Sequence, residues 1–218
     1  PPGRGRARGG RAARDGAPFT REAAGLGAAV ASVHRGLASA FPTHASTAAS
    51  STALRETWER RARAAVQEVP ELDRYVEAVT AAYARAGAAS WPRQQRIHGD
   101  LHLGQVLDAP GRGWVLLDFE GEPLRPLVER TAPDLALRDV AGMLRSLDYA
   151  AGAALREYDA RVPEDWVPAA RTAFLDGYAR EAGADPREQA ELLAALEIEM
   201  DVYEAVYETR HRPAWREI

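Results

Sequence analysis

Apolar positions recur at helical spacing along most of this chain, and one short stretch in the middle breaks the pattern. Phe19 to Phe41 reads as a helix, with Leu26, Val30, Val33, His34 and Leu37 on one face and Thr20 placed to cap it. Thr43 to Thr52 is small and polar and reads as a loop. Two further helical stretches, Arg55 to Val69 and Leu72 to Ala86, are split at Pro70. In the second, Leu72, Tyr75, Val76, Val79 and Tyr83 make one apolar face, and Gly87 and Pro92 end helical order. The helical period returns from Leu135 to Ala154, through Leu137, Val140, Leu144, Leu147 and Ala151, and again from Trp166 to Ala182. A last helix starts with Asp185 as cap and Pro186 at its first position, and runs to about His211 and Pro213.

Between Gln95 and Phe119 the period changes. Arg96-Ile97-His98 is short and extended, Leu101 to Val106 surrounds a loop, and Trp114 to Phe119 reads as a strand that ends in acid. Asp108 to Gly113 is a turn-rich connection between two strands. The predicted fold is therefore mainly α with a small β-hairpin insert. That is too little β structure for a complete doubly wound domain, and it suits one lobe of something larger. No internal repeat is visible. Residues 1–18 stand apart, rich in Gly and Arg without a hydrophobic period, and read as a disordered segment preceding a folded unit over 19–218.

Composition narrows the classes. The 218 residues are 46% apolar, enough for a real core, and carry a formal net charge of -4. Residues 1–15 hold five Arg and one Asp, so the rest of the chain sits at -8. A general nucleic-acid surface is thereby excluded, and the Arg-rich tail alone could touch RNA or an acidic surface. Cysteine is absent, which rules out a disulfide framework and a thiolate zinc site and fits a reducing, cytoplasmic setting. No apolar run approaches the roughly 18 residues of a membrane span, and no apolar block follows the N-terminal Arg residues as a secretory signal requires.

The candidate chemistry sits in the β insert. His98-Gly99-Asp100-Leu101-His102-Leu103-Gly104-Gln105 is followed, thirteen residues after Gln105, by Asp118-Phe119-Glu120-Gly121-Glu122-Pro123. Two polar clusters joined by a short strand pattern point to two loops converging on one site. Gly99 permits a tight path before Asp100, and an Asp so placed can take a proton from a hydroxyl nucleophile. The Gln105 carbonyl and the Asp118 carboxylate form a hard-cation pair suited to Mg²⁺, with phosphate oxygens and waters completing six-coordination. Two such ligands and a separate base are what phosphoryl transfer requires. His98 reads first as an organiser of the loop through hydrogen bonds, and His102 as either scaffold or substrate contact. Zinc on His98, His102 and Asp118 is disfavoured because that His pair needs a helix to align, and Gly99 argues against one. Glu120 and Glu122 could accept sugar hydroxyls or assist the metal. As paired carboxylates they also suit glycoside hydrolysis, which leaves Gln105 and the His-Gly-Asp loop unexplained. Arg138-Asp139, opening the next helix, reads as a brace for the loop.

These two motifs resemble those of the aminoglycoside phosphotransferase-like kinases, within the protein-kinase-like superfamily. The likeness extends through Leu135 to Ala151, Val202 to Glu208 and Arg212 to Trp215, and covers most of residues 20–218. Within the family it is nearest the actinobacterial maltokinases, with a related group that phosphorylates glucosamine. The resemblance implies a kinase C-terminal lobe with the N-terminal lobe absent, since nothing before residue 19 supplies a β-sheet, phosphate loop or nucleotide-gripping lysine. It implies ATP and Mg²⁺ as cofactors, Asp100 as catalytic base with His98 beside it, and Gln105 and Asp118 at the nucleotide-bound metal. It also places Glu120 near the metal, and His102, Glu122, Tyr203, Glu204 and Trp215 on the sugar side. The implied reaction converts maltose to maltose 1-phosphate for α-glucan synthesis, with a trehalose synthase as an associated partner. The alternatives are a kinase for glucosamine or another sugar, or a noncatalytic sugar-binding or regulatory lobe.

Overall fold

A computed structural model describes residues 19–122, 126–159 and 162–211. The segment 1–18, expected to be disordered, and Trp215, expected on the sugar side, lie outside the described residues.

The described chain is mostly helical. Helix α1 (Thr20–Ala40) lies along α6 (Trp166–Ala182), and the two approach so closely that their glycines leave no room for a side chain. A Cβ on Gly177 would fall 1.9 Å from the Ala24 carbonyl oxygen, and one on Gly27 would fall 2.0 Å from that of Phe174. The second layer is α2 (Ala48–Glu68), α3 (Val76–Ala88), α5 (Ala136–Tyr158) and α7 (Ala190–His211), with α7 touching the other three. A short α4 (Leu127–Thr131) precedes α5. Leu26, Trp58, Tyr83, Met143, Leu144, Leu147, Phe174, Leu192 and Leu196 are fully buried and belong to one core cluster.

The β insert is a two-stranded antiparallel hairpin, β1 (Val106–Ala109) and β2 (Gly113–Leu116), in the register Val106 with Leu116 and Ala109 with Gly113. The expected strand to Phe119 stops at Leu116. Asp118 adopts φ 63°, a left-handed conformation that extended chain cannot hold.

Other boundaries also moved. The polar stretch expected as a loop to Thr52 starts α2 at Ala48, because Thr47 and Ser50 cap it reciprocally. Thr20 makes no cap; it is the first helical residue after Phe19. The stretch from Leu72 begins as a 3₁₀ turn, Pro70–Tyr75, before α3. Gly87 lies inside α3 rather than ending it. Asp185 does cap as expected, accepting the Arg187 N–H, but on a 3₁₀ turn (Pro186–Gln189) that leads into α7.

The approach to the site is held on both sides. Gln94 pairs with His44 after α1, and Gln95 pairs with Asp134 before α5. Gln95 Nε2 also donates to the His34 carbonyl at 2.8 Å. The Arg96 guanidinium donates to the Arg130 carbonyl at 2.7 Å and to the Phe119 carbonyl at 2.8 Å, tying the acidic segment to the chain that leads into His98.

Candidate active site

The loop from His98 to Gln105 rests on α5. Asp139 accepts the His98 N–H on Oδ2 at 2.8 Å and the Gly99 N–H on Oδ1 at 2.9 Å. One α5 carboxylate thus clamps two successive backbone amides immediately before Asp100. Gly99 takes φ 86°, which brings the loop to the acidic segment: a Cβ there would lie 3.5 Å from Gly121 Cα. Further along, Ser146 Oγ accepts the Leu103 N–H at 2.9 Å.

Asp139 is itself held from behind. His34 on α1 donates Nε2–H to Asp139 Oδ2 at 2.9 Å, and its Nδ1 meets the Tyr178 hydroxyl on α6 at 2.9 Å. Burial pushes the Asp139 carboxyl up, but the bond and charge of His34 and the Gly99 N–H outweigh it and hold the group below the usual carboxylate range. Beside it, the fully buried Arg138 donates to Glu199 at 2.7 Å and Asp134 at 2.7 Å, and lies 3.7 Å from Glu122. Burial disfavours the guanidinium charge, and the three carboxylates more than offset that.

His98 is fully buried and uses both ring nitrogens on backbone. Nε2 lies 2.7 Å from the Leu117 carbonyl, which can only accept, so Nε2 carries the proton; Nδ1 accepts the Asp100 N–H at 3.3 Å. This geometry is that of a loop organiser and leaves neither nitrogen for a substrate. It also leaves His98 no lone pair for the zinc alternative, and among the described residues no group of three His, Cys, Asp or Glu could hold a metal. Asp100 is half-buried at the turn. His102 accepts the Gly104 N–H on Nδ1 at 3.0 Å, so its other nitrogen points away from that turn.

Gln105 and Asp118 do come together. The Gln105 Nε2 donates to Asp118 Oδ2 at 3.2 Å, and the backbone beside them is joined by Leu117 N–H to the Gln105 carbonyl at 2.8 Å. In this contact the Gln105 amide nitrogen faces Asp118, and each side chain also carries an oxygen of the kind a hard cation takes. The positive φ of Asp118 is a mild strain at that contact, and it turns the chain out of the strand. Glu120 is exposed on the turn that follows. Glu122 is instead 2% exposed and faces Arg138, so its carboxylate serves the buried network. Tyr203 and Glu204 lie on α7, away from both loops in sequence. Tyr203 stacks near Tyr207, and Glu204 pairs with Arg145 of α5 at 3.0 Å. Burial pushes the Glu204 carboxyl up to about 7 against the pull of Arg145.

Sequence reasoning missed His34 as a site residue and missed Tyr178, Ser146 and Glu199 altogether. His34 left one signal, a polar residue on the apolar face of α1; the others left none.

The loop that carries Asp100 is thus clamped at its backbone by Asp139 and meets Asp118 through Gln105. The chain belongs to the phosphotransferase enzyme family (APH), whose family model matches residues 6–193. A glucosamine kinase of Streptacidiphilus jiangxiensis is 33% identical over 204 residues, covering 88% of this chain and 46% of that protein. A glucosamine kinase of Mycolicibacterium smegmatis is 38% identical over 128 residues, covering 54% of this chain and 31% of that protein. Among solved structures, a glucosamine kinase in complex with glucosamine, ADP and inorganic phosphate superposes with a TM-score of 0.84 at 29% identity, covering 98% of this chain and 57% of that one. The chain therefore spans about half the length of the relatives it matches. None of these relatives is a maltokinase, so support moves from maltose to the amino-sugar alternative. No described helix is long and apolar enough to cross a membrane.

Proposed function

We propose that this chain is the base- and metal-bearing C-terminal lobe of an ATP-dependent sugar kinase whose acceptor is glucosamine. The observation that carries the reading is the meeting of Gln105 and Asp118 at 3.2 Å beside a loop whose Asp100 follows two clamped amides. The glucosamine kinase relatives supply the acceptor. In this reading Asp100 takes the proton of the attacking sugar hydroxyl as that oxygen bonds the γ-phosphorus, and ADP leaves. Asp118 and Gln105 would hold Mg²⁺, which neutralises charge on the phosphates. Asp139 fixes the backbone from which Asp100 projects, and His98 ties that backbone to the chain entering Asp118. Glu120, His102, Tyr203, Glu204 and Trp215 stand as proposed contacts around metal and sugar.

The test is ADP formation with a sugar panel, on this chain alone and on this chain joined to the remaining part of the Streptacidiphilus jiangxiensis glucosamine kinase. Glucosamine-dependent turnover is expected from the joined protein and little from the chain alone. Asp100→Asn should lower turnover by about a hundredfold or more while leaving the fold intact. Preference for maltose over glucosamine, or turnover indifferent to Asp100→Asn, would refute the assignment.

A further inference from the structure

Three positions of α5 line up beneath the loop. Asp139, Gly142 and Ser146 follow at i, i+3 and i+7, a spacing that puts them on one face of a helix. The loop runs along that face in the same direction. Asp139 takes the His98 and Gly99 amides, Gly142 meets the Leu101 carbonyl, and Ser146 Oγ accepts the Leu103 N–H at 2.9 Å. The middle contact is so close that a Cβ on Gly142 would fall 2.7 Å from the Leu101 carbonyl oxygen. Loop and helix backbones therefore meet there with no side chain between them. The rise of the helix from Asp139 to Ser146 separates the outer two anchors by about 10 Å.

The two outer anchors hold different parts of the loop. Asp139 takes the amides immediately before Asp100. Ser146 takes the first amide of a 3₁₀ turn, Leu103–Gln105, whose last residue meets Asp118. The other two amides of that turn bond within the loop. Gly104 N–H goes to His102 Nδ1 at 3.0 Å, and Gln105 N–H goes to the His102 carbonyl at 2.9 Å. Of the three, the Leu103 bond is the one that reaches the scaffold. The Leu103 side chain is 4% exposed and keeps the turn against the core, but apolar burial has no direction. A hydrogen bond does, and it weakens steeply as its angle closes. The Ser146 bond therefore fixes which way the turn faces, and with it the direction in which the Gln105 side chain leaves the backbone.

We propose that Ser146 is a positioning residue for Gln105, so that α5 sets the two halves of the loop separately: Asp139 the half with Asp100, Ser146 the half that meets Asp118. Its functional meaning rests on the reading above, in which Gln105 and Asp118 hold Mg²⁺. Loss of the Ser146 acceptor then weakens cation binding and leaves the backbone before Asp100 in place. Loss of the Asp139 carboxylate does the reverse.

The test is amide hydrogen exchange by NMR in the 218-residue chain, followed by titration with Mn²⁺, whose unpaired electrons broaden nearby signals. Ser146→Ala should speed exchange at Leu103 by about threefold to tenfold, the loss of one hydrogen bond, and change Gly99 by less than about twofold. Asp139→Asn should show the opposite pattern. Ser146→Ala should also raise the Mn²⁺ concentration that broadens the Gln105 side-chain amide, by a similar factor, which a merely structural serine would not do. Ser146→Thr keeps the hydroxyl and should restore both readouts. Leu103 exchange unmoved by Ser146→Ala, Gly99 moving as much as Leu103, unaltered Mn²⁺ broadening, or Ser146→Thr behaving like Ser146→Ala would overturn the proposal. A wild-type chain that does not bind Mn²⁺ sinks the cation assignment of the proposed function instead. The exchange pattern then decides the positioning role by itself, so the two failures remain distinct.

Discussion

Asp139→Asn is the most direct probe of how the fold holds the site. Asp139 is 1% exposed and receives three hydrogen bonds, from the His98 and Gly99 amides and from His34. Asparagine keeps one acceptor oxygen and puts an NH₂ where the other was. In the less costly orientation it still accepts from His98 and His34, and its NH₂ faces the Gly99 N–H, donor against donor. One charge-assisted bond is lost and one buried amide is stranded, together about 2–4 kcal/mol. For a chain of this size that lowers the melting temperature by roughly 5–15 °C. The deficit should depend on pH. The Asp139 carboxyl is held below its ordinary range, so its stabilisation is present above the unfolded value near ~4 and is lost as pH falls through the lower folded value. The gap between wild type and variant should therefore narrow in acid. The assays are thermal melts from pH 7 downward and amide exchange at Gly99, which should accelerate more than exchange in the α1–α6 pair. A melting temperature within about 2 °C of wild type at pH 7, with unaltered Gly99 exchange, would refute the clamp.

Gly177→Ala should cost about 3 kcal/mol or more, because its Cβ would fall 1.9 Å from the Ala24 carbonyl and force α1 from α6; denaturant melts check this. Glu204→Gln removes a carboxyl whose value rises from 4.5 to about 7 on folding. Wild-type stability falls as pH rises through that window, so the variant should gain about 1–3 kcal/mol on wild type between acid and pH 8, after allowance for solvent screening. Equal pH profiles in urea melts would contradict the burial argument. Asp118→Ala should abolish any Mg²⁺ dependence of ADP affinity, read by calorimetry with and without the ion.

Much of the helical plan was legible, because each apolar stripe is written within one element. Trp166 to Ala182 fell where expected, and the turn expected over Asp108 to Gly113 is present but shorter, at residues 110–112, with Asp108 and Ala109 in β1 and Gly113 opening β2. The α2 start was misread because Thr47 and Ser50 are ordinary loop residues until they cap each other. The strand end was misread because Val115, Leu116 and Leu117 carry strand propensity, while the left-handed Asp118 stops the extension. Glu122 was expected to accept a sugar hydroxyl or assist the metal, and only the Arg138 guanidinium behind it shows why it is buried.

The motif order His98-Gly99-Asp100 and Gln105, then Asp118, by itself put the candidate groups on two neighbouring loops: the Asp100 carboxylate, the Gln105 amide and the Asp118 carboxylate. A short hairpin joins them, and local turn geometry is enough to bring Gln105 and Asp118 together. Only the tertiary structure decided what holds that chemistry in place. His34 reaches Asp139 across 105 residues and Tyr178 across 144, and Glu199 reaches Arg138 across 61. A buried polar group is stable only with its partner in place, and such a partner leaves no period or spacing in the sequence.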